Sequence, residues 1–203
     1  MKKYSAIAIV EFRDIATGIY ATDSMIKKAP IALFKCGIIS QGRYLTLIGG
    51  NTASVDESYN EGLFRGGESV VDRVFLPDVH PQVHDAVLGQ RNTGYHGAMA
   101  IVETPTVSCN VRATELALKG TAVALSEIRL ADSWLNGKCF SIYRGELYDV
   151  EAAVDIAVSF LQQSGHPVNH RIIPAPHEAL GGQLDSSSFF IDSSQTDLDG
   201  EAD

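Results

Sequence analysis

The residues of this 203-residue chain that could do chemistry are six histidines, three cysteines and a few acids set at the ends of apolar runs. His80 and His84 stand four apart, a spacing that puts two imidazoles on one helix face and can chelate zinc. Pro81 falls between them, and His80 has a twin, His177, in the same Leu/Ile-Pro-x-x-His setting. Architecture explains a duplicated histidine better than a metal site does. His166 and His170 share the spacing but flank Pro167 ahead of a strand-like run, where the two rings need not face together. Glu11 and Glu103 close two apolar runs of nearly the same sequence. Paired carboxylates can do acid–base work, yet this matched placement points to structural hydrogen bonding at a subunit junction. Cys36, Cys109 and Cys139 are odd in number and far apart, with no C-x-x-C. Neither a disulfide framework nor a zinc knuckle is expected, and the thiols read as small buried hydrophobes. Nothing matches G-x-S-x-G, G-x-x-x-x-G-K-S/T or G-x-G-x-x-G. No catalytic residue and no metal ligand is assigned.

What positions these residues is an internal repeat. At an offset of 92 residues, Ala8-Ile9-Val10-Glu11 falls on Ala100-Ile101-Val102-Glu103, Ala21-Thr22 on Ala113-Thr114, Lys27 on Lys119 and Ala32-Leu33 on Ala124-Leu125. After a three-residue insertion the offset becomes 95, and Gly42, Arg43, Gly50 and Val55 meet Gly137, Lys138, Gly145 and Val150. A last offset of 97 aligns Leu76-Pro77-x-x-His80 with Ile173-Pro174-x-x-His177. Ordered matches with two small slips mark a tandem duplication.

Each copy reads the same way. Residues 5–12 and 97–104 are β-rich runs, and residues 17–28 and 108–119 carry apolar side chains at helical spacing. Pro30 stops the first helix. Residues 31–39 and 43–48 are two strands joined by a tight loop at Ser40-Gln41-Gly42. Gly49-Gly50 punctuates a turn, Asn51 or Thr52 caps a helix through residues 55–63, and residues 70–76 form a fourth strand before a short helix at 81–88. The predicted fold is an α+β sandwich of two tandem ferredoxin-like domains, each β-α-β-β-α-β plus a terminal helix. The domains span residues 4–92 and 96–182, followed by an acidic flexible tail at 183–203.

Composition narrows the function. With 25 acids against 16 bases the net charge is −9, which argues against a nucleic-acid partner. Six of the acids lie beyond Gln183 with no Lys or Arg among them, so the body is close to neutral. The tail, with Ser186-Ser187-Ser188 and Ser193-Ser194, cannot bury enough apolar area to offset its ordering entropy, although Phe189-Phe190-Ile191 is apolar enough to dock on a partner. No apolar run approaches the ~18 residues of a membrane helix. Met1-Lys2-Lys3 is followed too soon by Glu11 and Arg13 to read as an export signal, so a cytoplasmic protein is expected.

Taken in order across both copies, these motifs resemble the bacterial microcompartment (BMC) shell proteins, specifically their tandem-domain, trimer-forming class. The resemblance covers residues 5–180. It is carried by the two Ala-Ile-Val-Glu strands, by Asp23-Ser24-Met25-Ile26-Lys27 and Glu115-Leu116-Ala117-Leu118-Lys119, by Ser40-Gln41-Gly42-Arg43, by Gly145-Glu146-Leu147-Tyr148-Asp149-Val150 and by Ile173-Pro174-Ala175-Pro176-His177-Glu178. Each copy opens on its Ala-Ile-Val-Glu strand, so neither is circularly permuted.

The resemblance implies a structural protein, not an enzyme: a homotrimer forming a pseudo-hexameric tile, which packs with itself and other shell proteins into the facet of a cytoplasmic microcompartment. It implies tile-edge contacts at Lys27 and Lys119. The edge arginine of the family's Pro-Arg-Pro-His motif is replaced by Ala175 and, in the first copy, by Asp78, so the edge is weaker or differently mated. It implies a central pore lined by Ile39, Ser40, Gln41 and Gly42 from one repeat and Ser133, Trp134, Leu135, Asn136 and Gly137 from the other, with uncharged groups suited to small polar metabolites. Some members of the class hold an iron–sulfur cluster at this pore, making a redox conduit the alternative function. The aligned position here is Ser40, and only Cys139 lies close to the loop, so the cluster is disfavoured and no cofactor is expected. A small-molecule sensor on a similar fold is a further rival. It would show saturable binding in a cleft and no sheet formation.

Overall fold

Every residue of the strand Ala6–Phe12 (β1) is buried, because each of its faces has its own cover. In this computed structural model, which describes residues 4–94, 96–131, 135–196 and 198, Ala6, Ala8, Val10 and Phe12 point to the helices of their own repeat. Ile7 and Ile9 point the other way, into a core shared with the second repeat. Alternation along a strand thus builds two cores from one segment.

The first repeat continues with α1 (Ile15–Lys28), β2 (Leu33–Ile39), a 3-10 turn at Ser40–Gly42, β3 (Arg43–Gly50), α2 (Thr52–Gly66), β4 (Val70–Leu76) and α3 (Pro81–Val87). The second supplies β5 (Ala98–Thr104), α4 (Val107–Gly120), β6 (Ala124–Leu130), β7 (Cys139–Gly145), α5 (Leu147–Gln163), β8 (Asn169–Ile173) and α6 (Glu178–Ser186). The sheets run β2-β3-β1-β4 and β6-β7-β5-β8, antiparallel throughout, which is the expected ferredoxin-like order twice over. In β1 Glu11 stands opposite Asp72, and in β5 Glu103 stands opposite Asn169, so the repeats agree in register as well as in order.

The boundaries depart from expectation where packing overrides local punctuation. Gly49 and Gly50 do not turn the chain; they are the last pairs of β3, opposite Ile7 and Ala6. A Cβ on Gly49 would sit 3.2 Å from Leu33, so glycine is there for close approach of the neighbouring strand. Asn51 is the cap of α2 and accepts from the Ser54 N–H at 2.9 Å, and the helix starts earlier and runs longer than the periodicity suggested.

The segment from Gln183 does not begin as a tail. Helix α6 runs on to Ser186, and Arg91 donates to the carbonyls of Leu184, Asp185 and Ser186. The Arg129 guanidinium lies 4.1 Å over the Phe189 ring, and Ser188 donates to Glu127 at 3.2 Å. Glu127 also accepts from both Arg91 and Arg129, so two cations hold this stretch against β6.

Candidate functional site

Two places carry groups that a solvated surface would not: the junction between the repeats and the paired loops beside it.

At the junction the N-terminus of α4 is inserted against β1 and β4. The Ser108 N–H donates to Glu11 Oε1 at 2.8 Å, while Asp72 accepts from the Cys109 N–H at 3.1 Å and from the Thr106 hydroxyl. Carboxylates facing the first N–H groups of a helix satisfy donors that have no intrahelical partner and oppose the helix dipole. Glu11 is deeply buried. Loss of hydration, with Asp72 nearby, pushes its carboxyl up to about 7, against the lowering pull of Ser108 and Arg43. Further along, Glu115 accepts from the His80 N–H at 2.9 Å and pairs with Lys119 at 2.7 Å, whose ammonium also donates to the Asp78 carbonyl at 2.6 Å. Gln82 of α3 accepts from the Leu125 N–H of β6 at 2.7 Å.

Glu11, His80 and Lys119 have counterparts in the other repeat, Glu103, His177 and Lys27, but the surfaces that carry them are left largely uncovered. Ten of the fourteen residues of α4 are buried, but only four of the fourteen of α1. Val83 of α3 is 0% exposed, whereas its counterpart Leu180 of α6 is 42% exposed. Glu103 does not meet a helix N-terminus; it pairs with Lys138 at 2.8 Å on the wall of an open cleft of about 370 Å³ that Asn169 also lines. Position for position, this cleft is the socket that α4 fills in the first repeat.

The expected pore residues form the second place. Gln41 and Asn136 both adopt positive φ (66° and 50°), each followed by a glycine in the same region, so the two loops turn alike. The Gln41 amide donates to Asn136 Oδ1 at 3.2 Å, and a Cβ on Gly137 would stand 3.0 Å from Gln41 Oε1. Ser40 donates to the Ala131 carbonyl at 3.5 Å. The structure thus brings Ser40, Gln41, Gly42, Asn136 and Gly137 together, with Gln41, Gly42 and Asn136 exposed; Ile39 leans on the core and Leu135 is half-buried. Ser133 and Trp134 lie outside the described residues.

The other singled-out residues separate. His80 and His177 are N-caps: their Nδ1 atoms accept from the N–H of Gln82 at 3.3 Å and of Ala179 at 3.2 Å. His84 is buried and turns to Asp85 and Tyr4. His166 lies near Asp72 and Cys109 rather than forming a pair with His170. Lys27 pairs with Asp23 at 2.5 Å on an exposed face. Cys139 is buried in β7 and Cys36, on β2, accepts from the Tyr44 hydroxyl at 2.8 Å. Sequence reading missed Asp72, Thr106 and Ser108. Its one available signal was Glu11, whose duplicated position already implied a junction.

This pair of open-sided α+β repeats defines a class. Residues 6–79 and 98–176 each match the BMC domain, and the chain belongs to that family in its tandem form. It is 32% identical to the bacterial microcompartment shell protein PduT of Citrobacter freundii over 88% of this chain and 97% of that one. The crystal structure of a microcompartment protein from Desulfitobacterium hafniense shares 34% identity, with a TM-score of 0.76 over 86% of this chain and 97% of that one. The double-ringed trimeric shell protein of the RMM microcompartment, at 14% identity and a TM-score of 0.57 over 77% of this chain and 82% of that one, shares the fold. The chain is a structural shell protein of a bacterial microcompartment, a body of the bacterial cytoplasm. No described helix is long and apolar enough to cross a membrane.

Proposed function

We propose that three chains close into a ring of six BMC domains, a pseudo-hexagonal tile whose central opening passes small polar metabolites. The observation that carries this reading is the unequal treatment of equivalent surfaces. Within the chain, α4 and β6 of the second repeat are covered by β1, β4 and α3 of the first. The same surfaces on α1 and β2, and the matching socket beside Glu103 and Asn169, are left open. A junction between unlike surfaces, repeated head to tail, makes a ring when its rotation closes. In that ring α1 of one protomer enters the cleft beside Glu103 of the next, and Leu180 covers β2.

Trimeric and hexameric assemblies among the solved relatives support closure at six domains. The loops at Ser40–Gly42 and at Asn136 and Gly137 then face the axis from every domain, presenting hydroxyl and amide groups without net charge. The reading is structural and permeating, with no catalytic step. Light scattering on the purified chain tests it: the particle mass is expected at three times the 21.9 kDa of one chain. A stable monomer would overturn the tile.

A further inference from the structure

We propose that Asp72, Cys109 and His166 form a binding site for a borderline divalent cation of the zinc type, which staples the two repeats together. The ligand atoms of these three side chains all lie within 4.8 Å of one another. Around a tetrahedral ion with metal–ligand bonds of about 2.0–2.3 Å, ligand atoms stand roughly 3.3–3.8 Å apart. Small rotamer adjustments of three side chains therefore close the site. Three protein ligands of mixed type, with a fourth position for water, are a set zinc accepts. A thiolate and an imidazole are poorly matched to calcium or magnesium.

The three residues come from different elements. Asp72 lies on β4 of the first repeat, Cys109 on the first turn of α4, and His166 in the loop between α5 and β8. Charge also balances: one carboxylate and one thiolate neutralise a divalent ion, and the imidazole adds none. The surroundings supply outer support, because the Thr106 hydroxyl lies against both Asp72 and Cys109 Sγ and the Cys109 N–H fixes the carboxylate. His166 is half-buried in its loop and brings a ring nitrogen to within 4.8 Å of the ligand atoms of Asp72 and Cys109.

The repeat sets this cluster apart from the duplicated devices of the fold, such as the His80 and His177 caps. Asp72, Cys109 and His166 fall opposite Asn169, Thr17 and Ser69, none of which is a good zinc ligand. The site is thus peculiar to the junction inside the chain. No spacing rule could have revealed it, since its members lie on three distant segments and include none of the usual Cys/His pairs.

Cobalt(II) titrated into chelator-treated, reduced full-length protein tests the site. One equivalent per chain is expected, with a thiolate-to-cobalt charge-transfer band in the near ultraviolet. Cys109→Ser should abolish the band and Cys36→Ser should leave it. Asp72→Asn and His166→Asn should each weaken zinc binding at least about tenfold in competition with a chromophoric chelator. Zinc should also raise the unfolding temperature of the wild type and not that of His166→Asn. A band that survives Cys109→Ser, zinc affinity unchanged in His166→Asn, or no metal uptake at all would each overturn the proposal.

Discussion

Glu11 is a carboxylate held where water cannot reach it, and its titration is written into the junction. Its carboxyl is raised from 4.5 to about 7, chiefly by loss of hydration. A raised acid contributes stability that is complete below pH 4.5 and is lost as pH climbs through about 7. Glu11→Gln keeps an oxygen for the Ser108 N–H but removes the titration. Relative to wild type it should be more stable above pH 8 by up to about 3 kcal/mol, with the difference vanishing toward pH 4 in urea unfolding. A constant difference across that range would mean that Glu11 is not the titrating group. The residue was legible in the sequence as a duplicated carboxylate at a strand end. Its partner was not, because Ser108 offers a backbone N–H, and any residue but proline carries one.

At the scale of elements, α3 and α6 are the same helix in two situations. Val83 is sealed against β6, so Val83→Glu buries a charge and should unfold the domain or cost at least about 3 kcal/mol. Leu180 faces outward in the single chain, so Leu180→Glu should leave the fold intact and block assembly, read as a monomer by light scattering with an unchanged circular dichroism spectrum. A trimeric Leu180→Glu protein would remove α6 from the seam. Elements of this kind were readable from periodicity, since β4 falls on the expected residues and α1 ends just ahead of Pro30. The start of the tail was not. Its composition looks solvated, and what orders it is Arg91, a cation some ninety residues earlier in the chain that meets three carbonyls at the end of α6. Composition windows are blind to a partner so remote.

At the scale of the whole molecule, the proposed tile would meet its neighbours through Lys27 and Lys119. Lys27 is 73% exposed and pairs with Asp23, also exposed, a contact of the sort worth well under about 1 kcal/mol in water. Lys119 is tied more closely, through Glu115 and the Asp78 carbonyl, yet its ammonium still reaches solvent. Lys119→Ala strips the buried Glu115 of its cation, a loss inside the chain on the order of 3 kcal/mol, and Lys27→Ala removes an exposed pair, while the apolar faces of α1, β2 and α6 that make the seam are untouched. In a two-dimensional array the same loss would recur at every edge. The double variant Lys27→Ala, Lys119→Ala should therefore remain trimeric by light scattering while its sheets fail to form or dissolve at lower salt in electron micrographs. Sheets indistinguishable from wild type would take the lysines away from the tile edge, and a collapse to monomers would move them into the seam between protomers.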